Sequence, residues 1–472
     1  MIENNNEAAR HFDVVVLGAG PGGYVAAIRA AQLGLSVAVV EDKYWGGVCL
    51  NVGCIPSKVL LRNAEIVRLV CHEAQHYGLS GAVQASYRTA HDRSRKVAEG
   101  RAAGIHYLMK KNRITEVAGR GTFTGPTTVE VRGPGGQLCT LSFGHAIIAT
   151  GARPKQLPGV PSSARVVTYE QLILDPEPPR SIVIVGAGAI GMEVGYVLNA
   201  YGTEVTIVEY ADRVVPTEDA EVSRELAKAY RKLGIDTITA ARVETVETHT
   251  DSSTVSWQQA DGAAGSKTAD LVLVAIGFEA NSDGLGLEAA GVGVDERGAI
   301  IIDDRMRTTA PHIHAIGDVT MKLQLAHVAE AMGVVAAETI AGATTMELGD
   351  YRMMPRAIFC QPQVASFGLT EQQARAEHDE VRVAKFPFSA NGKAHSLGDA
   401  GGFVKLIADR DGALLGGHVI GADAAELLPE LTLAQKWELG SFEISRNVHI
   451  HPSLGEAIAE AVHGLQGHAI NI

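Results

Sequence analysis

Two thiols five positions apart, Cys49 and Cys54, stand in the segment Gly46-Gly47-Val48-Cys49-Leu50-Asn51-Val52-Gly53-Cys54-Ile55-Pro56-Ser57-Lys58. A cysteine pair can be quietly buried, can hold a metal, or can cycle between dithiol and disulfide. No paired Cys or His ligands lie nearby in the sequence, so no metal is expected. The pair begins a predicted helix and has Lys58 close by, two features that lower a thiol pKa and favour the thiolate. The remaining cysteines, Cys71, Cys139 and Cys360, make an odd total of five. A set so sparse does not read as an extracellular disulfide framework. Redox chemistry is therefore expected of Cys49 and Cys54; no chemistry is assigned to the other three, and Cys71 and Cys360 read as core or boundary residues. A candidate base lies near the C-terminal end, in Asn447-Val448-His449-Ile450-His451-Pro452-Ser453-Leu454-Gly455-Glu456. Pro452 suits a helix start. Glu456, about one turn in, can then reach a ring nitrogen of His451 and hold its tautomer. A single histidine among 17 is more often structural than catalytic, so this pair needs other support.

The elements that must position these groups are announced by glycines. An apolar run from Asp13 ends in Gly18-Ala19-Gly20-Pro21-Gly22-Gly23, a predicted helix follows to Leu33, and a strand Ser36–Glu41 closes on an acid. The same grammar returns at Gly186-Ala187-Gly188-Ala189-Ile190-Gly191, with a helix to about Tyr201 and a strand ending in Glu209. Gly18 to Glu41 and Gly186 to Glu209 both span 23 positions. Strand, glycine turn, helix and spaced acid form a dinucleotide-binding unit, with the pyrophosphate at the helix N-terminus and the acid on a ribose. Two copies predict two nucleotide domains in tandem. Glu209 would repel a 2′-phosphate and no arginine follows it at once, so NAD is expected at the second copy, although Arg213 lies a few residues on.

Both copies sit in an ordinary globular chain. Its 472 residues are 46% hydrophobic and 20% charged, which excludes a disordered or fibrous protein. The net charge of 41 minus 54, or −13, argues against nucleic-acid and anionic-membrane binding. No apolar stretch approaches a membrane span. The opening Met1–Phe12 lacks a basic region and an apolar core, so it reads as a polar leader without an export signal. Apolar strands ending in Thr150-Gly151 and Gly277, and a strand delivering Gly317-Asp318, surround the second copy. From about Tyr351 the pattern becomes short strands (Ile358–Phe367, Val381–Pro387, Gly402–Ala408, Ala413–Gly421), then helices Glu426–Leu439 and Leu454–Leu465. The expected fold is α/β: two Rossmann-like domains and a C-terminal α+β domain, with segments 1–152, 153–280, 281–350 and 351–472.

Read together, the cysteine segment and the two nucleotide units identify a likeness. The chain resembles the flavoprotein disulfide reductases over essentially its whole length and, among them, the dihydrolipoamide dehydrogenases. The most specific elements are GGVCLNVGCIPSK and His451–Glu456, where Ser453 stands for the family's usual threonine. The resemblance implies FAD at the first copy, on Gly18, Gly20, Gly23 and Glu41, with Asp318 at the ribityl chain and Thr150-Gly151 at the exit from the FAD domain. It implies NAD at the second copy, on Gly186, Gly188, Gly191, Glu209 and Gly277. Lys58 would lie near the flavin and pair with Glu193; Cys54 would face the flavin and Cys49 the substrate. His451 and Glu456 would come from the partner subunit of a homodimer built through residues 351–472. Implied partners are the lipoyl and subunit-binding domains of a 2-oxoacid dehydrogenase acyltransferase, or the lipoyl protein of glycine cleavage, in a bacterial cytoplasm. The nearest rival is another NAD(P)H-dependent disulfide or quinone reductase of the same fold. A non-catalytic relative is disfavoured because Cys49, Cys54, Lys58, His451 and Glu456 are all present.

Overall fold

The computed structural model describes residues 10–472; most of the expected polar leader lies outside the described residues. The chain divides into two compact units. One comprises Met1–Val59, His91–Lys155 and Gly277–Tyr351, and the other Leu60–Ala90, Gln156–Ile276 and Arg352–Ile472.

In the first unit, strand Arg10–Leu17 pairs in parallel with Val37–Glu41 on one side and Leu138–Ile148 on the other. Thr115–Ala118 extends one edge and Ile313–Ala315 adds a further parallel strand to Leu138–Ile148. The antiparallel strands Thr128–Arg132 and Arg120–Gly125 complete the seven. Val14, Val15 and Val16 are wholly buried, the continuous apolar texture of a parallel strand covered on both faces. Helix Pro21–Gln32 starts with Pro21 in its first turn, where a missing N–H costs nothing. It packs against helix Ala326–Ile340 so closely that a Cβ at Gly22 would meet Ala329 O at 2.9 Å.

The second unit repeats the architecture. Ser181–Val185 lies between Glu204–Val208 and Leu271–Val274 in a five-stranded parallel sheet, accompanied by an antiparallel sheet of Ala241–Thr248, Ser253–Gln259 and Ala264–Ala269. Its C-terminal part is a separate antiparallel sheet in the order Arg356–Ile358, Gln363–Gly368, Leu414–Gly421, Phe403–Asp409, Val381–Pro387. Helices Ala424–Lys436 and Glu456–Leu465 join that sheet in a core around Phe367, Phe386, Val404, Leu431 and Ile458. The α/β fold with two Rossmann-like sheets and a C-terminal α+β region is thus as expected.

Local boundaries differ. The expected strand Ile358–Phe367 is two strands, Arg356–Ile358 and Gln363–Gly368. Pro362 offers no N–H to a ladder and falls in the break between them. The last helix begins at Glu456, not Leu454, so Pro452 precedes it in a turn and Glu456 is its first residue, not one turn in.

Candidate active site

The first glycine turn has a hydrogen-bond frame of its own. Gly18 N–H donates to Val40 O at 2.8 Å and Tyr24 N–H to Gly20 O at 2.9 Å, fixing strand, turn and helix together. Gly18 has φ +104°, a left-handed geometry that side chains disfavour, and a Cβ at Gly23 would fall on Gly18 O. Glu41 reaches back: Oε2 accepts Ala19 N–H at 2.8 Å, and Oε1 accepts Lys43 and Tyr44 N–H at 2.8 and 3.0 Å. Helix Pro21–Gln32 carries no acidic residue in its first turn, leaving an electropositive N-terminus suited to phosphate.

The cysteine segment is seated on this turn. Gly46 N–H donates to Ala19 O at 2.9 Å, and a Cβ at Gly47 would meet Gly20 Cα at 2.6 Å, so the two backbones touch with no side chain between. Asn51 Nδ2 donates to Trp45 O and Gly47 O, both at 2.9 Å, and Arg95 Nη1 donates to Asn51 O at 2.6 Å. Cys49 lies on the short helix Gly47–Val52; Cys54 opens the 19-residue helix Cys54–His72. They form a disulfide with Cα atoms 4.6 Å apart. When the bond is reduced, the helix N-terminus at Cys54 favours a thiolate there. Cys71 and Cys139 are exposed free thiols and Cys360 a buried one; of the two read as core or boundary residues, Cys360 lies in the core and Cys71 at the surface. Among the described residues no group of three His, Cys, Asp or Glu side chains could hold a metal.

Also in the first unit, Thr150 is tied to Asn281 from both directions: Thr150 Oγ1 donates to Asn281 O at 2.8 Å, and Asn281 Nδ2 to Thr150 O at 3.0 Å. Gly151 O accepts Asn281 N–H at 3.0 Å, and Gly277 O accepts Lys155 N–H at 3.0 Å. Asn281 was not legible as a site residue; its only sequence signal is its place just after Gly277. Asp318 lies in the single turn Gly317–Thr320. Burial pushes its pKa up to about 6, and no protein hydrogen bond to its carboxylate occurs among the described residues. A hydroxyl donor would satisfy it. Lys58 falls within the cysteine-bearing helix.

In the second unit the first turn's frame is reproduced. Gly186 N–H donates to Val208 O at 2.8 Å and Met192 N–H to Gly188 O at 3.0 Å; a Cβ at Gly191 would fall on Gly186 O. Glu209 Oε2 accepts Ala187 N–H at 2.6 Å and Oε1 accepts Ala211 N–H at 2.7 Å. Arg213 is turned into its own loop, with Nη2 donating to Pro216 O at 3.2 Å. Glu193, buried on helix Ala189–Ala200, accepts Phe359 N–H at 2.9 Å.

The C-terminal pair is formed as expected, though by a turn rather than along a helix. His451 Nδ1 lies 2.8 Å from Glu456 Oε1, and Glu456 Oε2 accepts Ser453 N–H at 2.8 Å. Burial alone would raise the Glu456 pKa, but the Ser453 N–H and the His451 ring hold it below its ordinary value. Nδ1 is thereby engaged as a donor and Nε2 keeps its lone pair, on a side chain 81% exposed. His449 is differently occupied, with Nε2 3.0 Å from both oxygens of Glu430, which raises its pKa.

Known proteins resemble this arrangement throughout. Residues 12–333 match the sequence profile described as pyridine nucleotide-disulphide oxidoreductase, and residues 354–462 that of its dimerisation domain. A dihydrolipoyl dehydrogenase of Mycobacterium tuberculosis is 61% identical over 462 residues, covering 98% of this chain and 99% of the relative. That of Corynebacterium glutamicum is 55% identical over 465 residues, again 98% of this chain and 99% of the relative. Among solved structures, LpdA of M. tuberculosis superposes with a TM-score of 0.89 at 27% identity, covering 97% of this chain and all of that one.

Proposed function

The chain belongs to the pyridine nucleotide-disulphide oxidoreductases, and from that premise we propose that it is a dihydrolipoyl dehydrogenase, oxidising dihydrolipoamide to lipoamide with NAD as acceptor. What carries this reading is the Cys49–Cys54 disulfide seated directly on the first glycine turn. The donor sets suit the two nucleotides. For FAD they are an uncluttered helix N-terminus at Gly18–Gly23, Glu41 with lone pairs to spare for ribose hydroxyls, and Asp318 awaiting a hydroxyl. For NAD they are Gly186, Gly188, Gly191 and Glu209; Gly277 is assigned to the same nucleotide on the family resemblance alone. Glu209 disfavours a 2′-phosphate, and Arg213 turns one nitrogen, Nη2, to Pro216 O. When bound, FAD supplies a two-electron carrier between the dithiol and NAD.

The chain's own residues handle the thiols. His451 Nε2 of one protomer takes a proton from dihydrolipoamide held against Cys49 of its partner, and Glu456 stabilises the charged ring through Nδ1. The substrate thiolate attacks Cys49 Sγ, the Cys49–Cys54 bond breaks, and Cys54 leaves as a thiolate at its helix N-terminus. The second substrate thiol attacks its own sulfur in the mixed disulfide, releasing lipoamide and Cys49 as a thiol. Two electrons and two protons have then moved from substrate to protein. In this reading Lys58 and Glu193 would be among the residues that serve the flavin. The protein is a homodimer through residues 351–472, works in the cytoplasm, and takes its substrate from a lipoyl domain. It docks on the subunit-binding domain of a 2-oxoacid dehydrogenase acyltransferase, or serves the lipoyl protein of glycine cleavage. No helix among the described residues is long and apolar enough to cross a membrane.

Anaerobic addition of two electrons to the purified flavoprotein tests the proposal. A long-wavelength absorbance band should then appear in the wild type; in Cys49→Ser it should be present before any electrons are added, because no disulfide engages Cys54, and it should be absent from Cys54→Ser throughout, while both variants lose dihydrolipoamide turnover. A colourless protein that takes up no flavin, or NADH formation from dihydrolipoamide far below that from another thiol couple, would overturn it.

A further inference from the structure

One row of side chains crosses the whole C-terminal sheet. Arg356 is opposite Ser366, Ser366 opposite His418, His418 opposite Lys405, and Lys405 opposite Lys385, so five polar or cationic residues share one face of five adjacent strands. Lys405 is only 1% exposed. Buried lysines are rare unless paired, and this one is paired three times. Nζ lies 3.0 Å from Asp219 Oδ1, 2.9 Å from Glu221 Oε2 and 2.7 Å from Glu371 Oε2. Its three donors and three carboxylate acceptors match in number. Lys385 supports the set by binding Glu221 Oε1 at 2.7 Å, and Arg356 faces Glu218 at 3.8 Å.

Asp219 and Glu218 belong to the loop that leaves the second glycine turn's acid, Glu221 to the helix which that loop enters, and Glu371 to helix Glu371–Glu377 of the C-terminal part. Asp219 caps helix Ala220–Lys232 by accepting Glu221 N–H at 2.9 Å. One residue earlier, Glu218 N–H donates to Val215 O at 2.9 Å, and Val215 N–H donates to Ala187 O at 2.9 Å. Ala187 is the middle of Gly186-Ala187-Gly188, and its own N–H is held by Glu209. Val215 takes up φ +40°, a conformation costly for a β-branched residue unless its surroundings enforce it. Two hydrogen bonds therefore connect the glycine turn to the residue beside Asp219, and Asp219 is the partner of Lys405.

We infer that Lys405 is a positioning residue for nucleotide binding at the second glycine turn, acting through Asp219 and the Val215–Glu218 turn on the Ala187 peptide. The inference rests on the reading that this turn and Glu209 bind NAD. A lysine serving stability alone would change the melting temperature and leave ligand affinity of the folded protein untouched. A positioning lysine changes affinity at a temperature where the protein is fully folded.

The test is the dissociation constant of ADP-ribose, a redox-inert fragment of NAD, measured by calorimetry at 25 °C on full-length flavin-loaded protein. Lys405→Met keeps the length and removes the charge. Glu221→Gln is the milder variant, because its side chain is 28% exposed and its loss leaves Asp219 and Glu371 on Lys405. We expect the dissociation constant to rise about five- to tenfold in Lys405→Met and about two- to threefold in Glu221→Gln, the range of indirect positioning effects. Flavin content and the KM for dihydrolipoamide should stay within about twofold of wild type. Affinity unchanged in both variants overturns the inference, as does a parallel rise of the KM for dihydrolipoamide. If Lys405→Met does not fold, Glu221→Gln decides alone. Glu209→Ala separates the two readings: if it leaves ADP-ribose affinity intact, the NAD assignment fails. If it weakens binding and the Lys405 and Glu221 variants do not, positioning alone fails.

Discussion

Replacing Glu456 with glutamine removes one charge and little else, which makes it a direct test of the proposed base. In the structure the carboxylate holds two donors at once, the His451 ring at 2.8 Å and the Ser453 N–H at 2.8 Å. A glutamine offers one oxygen for these two, and its amide hydrogens oppose whichever donor is left. Hydrogen bonds to a charged group are worth about 1.5–3 kcal/mol. The Glu456 side chain is 31% exposed, so solvent screening favours the lower end. At about 1.4 kcal/mol per decade of rate, this corresponds to a loss of roughly 10- to 30-fold in kcat. The loss should fall on thiol oxidation alone. Steady-state turnover with dihydrolipoamide and NAD is compared with NADH oxidation by ferricyanide, a one-electron acceptor that bypasses thiol exchange. The first should fall by the stated factor and the second stay within about twofold of wild type. A loss below about threefold with dihydrolipoamide, or an equal loss in both assays, would refute the argument that Glu456 acts through the imidazole.

Acid should destabilise the protein through His314, which is 1% exposed with neither ring nitrogen hydrogen-bonded. Burial first, then the neighbouring His145 and Arg307, push its pKa down from 6.5 to about 4. Between those values the unfolded chain binds the extra proton, so stability is full above pH 6.5 and is lost as pH falls toward 4, by about 3 kcal/mol. Melting temperatures at pH 7.5 and 5 should therefore converge in His314→Phe, and equal acid sensitivity in wild type and variant would contradict this. Gly191→Ala should lower ADP-ribose affinity more than about tenfold, because its methyl group falls on Gly186 O and the helix must back away. Flavin content, which the proposed function assigns to the first turn, should not change, and joint loss of both would argue against separate sites.

The local geometry of the candidate site was legible in the sequence wherever it is carried by neighbours in the chain. The glycine turns, the acids 23 positions on, the cysteine segment and the His451–Glu456 pair all depend on short spacings, and the structure forms each of them. What escaped was built from distance in sequence. Lys405 reads as an ordinary polar residue in Phe403–Asp409, and its burial becomes intelligible only with Asp219, 186 positions away. Asn281 meets Thr150 across 131 positions. Element ends were also misjudged. The last helix starts two residues later than the pattern predicts, its approach at Leu454 and Gly455 being a tight turn with Ala457 N–H on Leu454 O and Ile458 N–H on Gly455 O, and Pro362 falls in the break of a strand that apolar content alone made continuous.

The contact between Gly47 and Gly20 has a consequence for how such a protein can change. With backbone resting on backbone, the sulfurs own no foundation separate from the anion cradle. A lineage that reshaped the cradle for a different coenzyme would dislodge its redox centre in the same stroke. The distal copy differs in kind: what rests on its cradle is the Val215–Glu218 turn, with no sulfur pair.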